Sequence, residues 1–135
     1  MSFGLKISDS RGGIVEKIGI IDLGSNSARL VIVELFGEGH FMVVDELKES
    51  VRLGQDMERD GFLKPSRVAE TIRTLKMFKK LADASRVDRI IAVATAAVRR
   101  AKNQRTFLDE IQATCAIKLK VLSQEEEATL VYPGV

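Results

Sequence analysis

The sequence predicts an α/β domain: a mixed β-sheet with helices packed on it, in the order β-β-β-α-β-α-β-α. Three observations lead there. Residues 17–47 hold three runs rich in Ile, Leu and Val, separated by short polar turns. From Val68 onward, apolar residues recur at helical spacing. Two more short apolar runs, at 89–95 and 118–122, alternate with helical stretches.

Residues 1–15 show no clear period, contain Ser-Asp-Ser and Gly12-Gly13, and read as a flexible N-terminal tail. The domain then occupies 16–135. Strands are expected at 17–23 and 28–36, joined by a polar turn, and at Phe41–Leu47 after the Gly-Glu-Gly-His turn of 37–40. Such short turns predict an antiparallel meander. Val68, Ile72, Leu75, Phe78 and Leu81 line one face of a helix, and Met77 widens that stripe. Pro65 suits its first turn. "RIIAVAT", Arg89–Thr95, reads as a short buried strand. Asn103 is a good N-cap for a second helix with Phe107, Leu108, Ile111 and Cys115 on one face. Lys118–Leu122 is the last strand, and Ser123 opens a third helix.

Composition narrows the function classes. A chain of 135 residues, 45% apolar and 30% charged, is that of a soluble globular domain with a real core. A net charge of +2 is too small to argue for nucleic acid or an anionic membrane as partner. No window carries the roughly 18 apolar residues of a membrane-spanning helix. The single cysteine, Cys115, excludes an intrachain disulfide and fits a reducing compartment, so a cytoplasmic location is expected. His40, the only histidine, falls in a turn and is expected to be exposed and non-catalytic; no Cys/His spacing suggests zinc.

Three segments could carry chemistry. The first is Asp22-Leu23-Gly24-Ser25-Asn26-Ser27. Gly24 would let the backbone take positive φ and approach a ligand closely. Successive backbone N–H groups could form an anion nest, and Ser25, Asn26 and Ser27 add donors for phosphate oxygens. Asp22 could hold magnesium, which takes only one or two protein carboxylates. The same residue types also make an ordinary hairpin turn, so this segment alone leaves both readings open. The second is "ATAAVRRAKN", 94–103, where Thr95 and Arg99 could grip an anion but a solvated basic turn is the commoner fate. The third is "LSQEEEATLVYPGV", 122–135. Ser123 and Glu126 have capping-box spacing, which gives Glu126 a structural role. Glu127 is not needed for the cap. It lies about 100° further round the helix and is free to project into a cleft as a general base.

Together, "DLGSNSARLVI" at 22–32, "VRLG" at 51–54, "ATAAVRRAKN" at 94–103 and "EEATLVYPGV" at 126–135 resemble the exopolyphosphatase / guanosine pentaphosphate phosphatase (Ppx/GppA) family, in order and in spacing. The resemblance implies a ribonuclease-H-like lobe of the actin/Hsp70/sugar-kinase superfamily, with the active site between two such lobes. It implies that residues 22–27 form the first phosphate loop, with Gly24, Ser25, Asn26 and Ser27 binding phosphate. By the same matching Arg99 would contact substrate phosphate with Thr95 nearby, Arg52 would be a further phosphate ligand, Asp22 would help hold Mg2+, and Glu127 would be the catalytic glutamate. The implied substrates are polyphosphate or guanosine pentaphosphate, and whole members are expected to be homodimers. Gln124 stands where family members often carry Gly, and Pro133 is unusual within the closing helix. The family's second phosphate loop belongs after residue 135, so the chain is expected to hold the N-terminal lobe alone and to be inactive, or nearly so, without its C-terminal lobe. Two other readings stay open at this point: a regulatory module that binds guanosine tetra- or pentaphosphate without hydrolysis, and a sugar or acetate kinase of the same superfamily.

Overall fold

The structure, a computed structural model, describes residues 13–129. Five strands form one sheet in the order β3-β2-β1-β4-β5. They are β1 (Ile14–Leu23), β2 (Ser27–Phe36), β3 (Phe41–Ser50), β4 (Arg89–Ala94) and β5 (Leu119–Val121). The first three make the expected antiparallel meander, whereas β4 runs parallel to β1 and β5 parallel to β4. Helices α1 (Pro65–Ala84), α2 (Ala96–Arg100), α3 (Gln104–Cys115) and α4 (Gln124–Thr129) accompany the sheet among the described residues. The parallel connections are helical crossovers, since strands of like direction cannot be joined by a tight turn.

Strand periodicity sets the two faces of the sheet. Ile21, Leu23, Ala28, Leu30 and Ile32 face the main core, with Leu75 and Phe78 of α1 and Phe107, Ile111 and Cys115 of α3. Ile18, Ile20, Val31 and Val33 form a second buried cluster on the opposite face.

Several elements depart from the sequence reading. β1 begins at Ile14, three residues before the expected start and inside the stretch read as tail; residues 1–12 lie outside the described residues. A short helix, α2, stands where a plain connection was expected. On α1 the buried face is Thr71, Thr74, Leu75, Phe78 and Ala82, while Met77 and Leu81 are exposed. The amphipathic stripe is thus rotated toward small and hydroxyl-bearing residues. The Thr71 hydroxyl makes this tolerable by donating to the Arg67 carbonyl at 2.9 Å. Pro65 does open α1. Pro133 lies outside the described residues.

Asn103 precedes α3 as expected, but its side chain does not cap the helix. Its carboxamide instead accepts from the Leu63 N–H (2.9 Å) and donates to the Leu63 carbonyl (3.1 Å). This straps the segment before α1 to the start of α3. Asn103→Ala leaves both Leu63 groups without that partner in a partly buried setting. It should lower unfolding stability by about 1–3 kcal/mol, measured by urea denaturation; an unchanged midpoint would show that the strap carries no weight.

Candidate active site

The site grows out of the parallel pairing of β1 with β4. Register aligns Asp22 with Val93 and Leu23 with Ala94, so the loops that follow both strands emerge at one edge. The Thr95 N–H donates to the Leu23 carbonyl at 3.0 Å and extends the ladder by one residue. Ligands of open α/β sheets bind at such carboxyl ends of strands.

A cavity of about 510 Å³ opens at this edge, lined by Asp22, the 24–27 loop, Arg29, Lys48, Thr95, Ala96 and Glu127. Residues from three distant segments therefore meet in one place. Asp22, Gly24, Ser25, Asn26, Ser27, Thr95 and Glu127, all singled out in the sequence, line this one cavity.

The loop differs in its backbone from the expectation. None of residues 24–27 has positive φ. The turn is closed by the Gly24 N–H donating to the Ser27 carbonyl at 3.0 Å. What glycine supplies is space: a Cβ at position 24 would stand 3.5 Å from the Ser27 carbonyl oxygen and 3.9 Å from Thr95 Oγ1. A side chain there would fill the gap between the loop and the threonine hydroxyl.

Two of the expected ligands are placed elsewhere. Arg99 is absent from the cavity wall; its Nη1 donates to the Leu122 carbonyl at 3.0 Å and to Glu127 Oε1 at 3.1 Å. Gln104 Nε2 secures the end of α2 by donating to the Val98 carbonyl at 3.0 Å. Arg99 thus ties α2 to α4 and orients the Glu127 carboxylate. Arg52 lines an adjacent cleft with Ser25, Asn26, Gly54 and Arg100.

Two residues were missed. Cross-strand register sets Asp22 opposite Arg29 and Arg29 opposite Lys48, one polar rung across three strands on the same face. Arg29 is held by Glu46, with Nε–Oε2 at 2.7 Å. The signal was present: once a tight turn at 24–27 is accepted, positions 22 and 29 must pair, and Arg29 stands directly before the apolar run 30–33.

Glu126 takes the expected capping role. The Ser123 N–H donates to Glu126 Oε1 at 2.9 Å, and the Glu126 N–H donates to Ser123 Oγ at 3.0 Å, a complete capping box. Glu127, on another side of the helix, faces the cavity. Among the described residues no group of three or more His, Cys, Asp or Glu could hold a metal ion. The donor set around Asp22, with oxygen ligands and two carboxylates on one cavity wall, still fits magnesium, which keeps most of its water.

Comparison with known proteins places the chain in a family. The family model described as the Ppx/GppA phosphatase family matches residues 31–135. The chain belongs to the Ppx/GppA phosphatase family. Exopolyphosphatase 1 of Mycobacterium tuberculosis (strain ATCC 25618 / H37Rv) is 29% identical over 119 residues, 88% of this chain and 35% of that protein. A guanosine-5'-triphosphate,3'-diphosphate pyrophosphatase of Pseudoalteromonas atlantica is 38% identical over 116 residues, 85% of this chain and 23% of that protein. The crystal structure of the Aquifex aeolicus Ppx/GppA family member superposes with a TM-score of 0.79 at 37% identity, covering 83% of this chain and 36% of that one. The chain thus spans about a third or less of these Ppx/GppA relatives, and its fold is their ribonuclease-H-like lobe. No helix among the described residues is long and apolar enough to cross a membrane.

The capping box carries a pH dependence. The Ser123 backbone N–H, and after it the Lys120 ammonium, hold the Glu126 carboxyl below the usual carboxylate range. A folded value below the unfolded one means that the stabilisation is present above the ordinary carboxylate pKa and is lost as pH falls through the folded value. The Ser123 amide resonance should titrate with Glu126 in wild type. In Glu126→Gln, which keeps the cap but cannot ionise, it should be flat. Titration persisting in the variant would assign the transition to another group.

Proposed function

We propose that this lobe supplies one wall of a phosphoanhydride hydrolase that releases terminal phosphate from inorganic polyphosphate or guanosine pentaphosphate. The observation that carries the reading is the meeting of the 24–27 loop, Asp22, Thr95 and Glu127 around one cavity. The relatives' names cover both substrates, and both share a terminal phosphoanhydride. The loop amides and hydroxyls bind the terminal phosphate, and Thr95 donates from the opposite side. Arg29 and Lys48 offset the charge of the remaining phosphates. Glu127, steadied by Arg99, takes a proton from the attacking water as its oxygen bonds to the terminal phosphorus. The bridging P–O bond breaks and its electrons leave with the shortened chain. Asp22 would hold magnesium, which supplies further neutralisation of phosphate charge when bound. The rest of the protein, a second lobe closing the cleft, is expected to complete the site, in a homodimer working in the cytoplasm.

In the whole protein, Glu127→Gln should lower kcat for phosphate release from polyphosphate about 10²–10⁴-fold, the usual worth of a positioned base. Lys48→Ala should raise KM about three- to tenfold with a smaller change in kcat, as for lost ground-state binding. Wild-type turnover by Glu127→Gln would remove Glu127 from the chemistry. Guanosine pentaphosphate binding without phosphate release by the wild-type protein would favour a sensor module instead.

A further inference from the structure

Beside the phosphate loop runs the segment 51–54, whose Arg52 was expected to act through its side chain. Its backbone has a more specific arrangement. The N–H groups of Val51 and Arg52 both donate to the Asn26 carbonyl, at 3.0 and 2.9 Å, and the Gly54 N–H donates to the Ser25 carbonyl at 2.9 Å. Three donors from one segment thus converge on two successive carbonyls of the loop.

A trans peptide points its C=O and its N–H in opposite directions. Drawing the Ser25 and Asn26 carbonyls toward 51–54 therefore turns the Asn26 and Ser27 N–H groups away from that segment. None of residues 51–54 lines the cavity that holds Asp22 and Glu127. The clamp thus turns those amides toward the cavity side.

Two features of the segment are costly without such a purpose. Arg52 has φ of +49°, a left-handed conformation that disfavours a side chain. That conformation steers the chain after the 51 and 52 amides, toward the point where the Gly54 N–H meets the Ser25 carbonyl. Gly54 sits so close that a Cβ would stand 3.3 Å from Ser25 Cβ and 3.4 Å from Ala97 Cβ. Both neighbours are themselves Cβ atoms, fixed to their backbones, and cannot swing aside. A Cβ at 54 therefore makes the loop or α2 give by a few tenths of an ångström, which shifts the segment against the loop. The outer side of the clamp is also anchored, by a long contact of 3.5 Å from Arg67 of α1 to the Val51 carbonyl.

We propose that residues 51–54 are a positioning element that pre-aims the amides of the phosphate loop, with Gly54 the residue on which the fit turns. The role is carried by the backbone, and it rests on the phosphate reading of the 24–27 loop. It gives "VRLG" a function distinct from a direct Arg52–phosphate contact.

The test uses the 135-residue chain and tripolyphosphate. Calorimetric titration should show binding by wild type and affinity about tenfold or more weaker for Gly54→Ala, the scale of loss when positioned groups are displaced. Circular dichroism establishes that the variant is folded. Equal affinity in a folded Gly54→Ala protein overturns the proposal. Where the variant does not fold, hydrogen exchange in wild type decides: tripolyphosphate should slow exchange of the Val51, Arg52 and Gly54 amides. Their unchanged exchange, while resonances of the 24–27 loop respond, overturns it as well. No binding by wild type at all is the separate failure of the phosphate reading itself.

Discussion

The parallel pairing of β1 with β4 is the constraint on which the site depends. The two strands are some seventy positions apart in the chain, yet their register brings Leu23 beside Ala94 and lets the Thr95 N–H reach the Leu23 carbonyl at 3.0 Å. Everything chemical follows from that alignment. The turn after β1 and the hydroxyl after β4 come to face one another, with a glycine keeping the space between them open. The same alignment continues through β4 to β5, where the Leu122 N–H donates to the Ala94 carbonyl at 2.9 Å and delivers the start of α4 to the same edge. Glu127 arrives one helical turn later.

The cavity face is built differently from the core face of the same strands. Ile21, Leu23, Leu30 and Ile32 are almost fully buried on one side, whereas Asp22, Arg29 and Lys48 form a polar rung on the other. Stability does not account for that rung. The Arg29–Glu46 pair is substantially exposed, at 35% and 47% of the side-chain surface, and exposed ion pairs contribute only about 0–1 kcal/mol. Charge placed at a strand end beside an apolar cluster at so little gain is better explained by what it faces. The Arg99–Glu127 pair belongs to the same economy: at 3.1 Å and partly exposed, it fixes the direction of a carboxylate more than it stabilises the fold.

The architecture was legible in the sequence because its signals are local. Alternating apolar runs, short turns and the change to helical spacing near Pro65 each follow from side chains a few residues apart, and they gave the meander and the crossovers. The errors arose where a distant partner overrode the local preference. Asn103 has the chemistry of an N-cap, but Leu63, forty positions earlier, offers it two backbone groups at once. Met77 and Leu81 fit the helical stripe, but the sheet beneath meets the helix along Thr71, Thr74 and Ala82. At the site, residue types and spacing picked out Asp22, the loop, Thr95 and Glu127. They could not show that Arg99 faces the carboxylate instead of the cavity, nor that Lys48 shares a rung with Asp22, since both facts lie in strand register and helix rotation. The left-handed backbone expected at Gly24 is found at Arg52 instead, in the segment that grips the loop from outside.

The proposed phosphate site is made by three separated segments, and a ¹⁵N-resolved NMR titration of the chain with tripolyphosphate distinguishes it from a site on one segment. Amide resonances of Gly24–Ser27, Thr95 and Glu127 should move together along one binding curve. Movement confined to a single segment, or concentrated instead around a separate cleft lined by Met57, Arg59, Arg100 and Lys102, would contradict it.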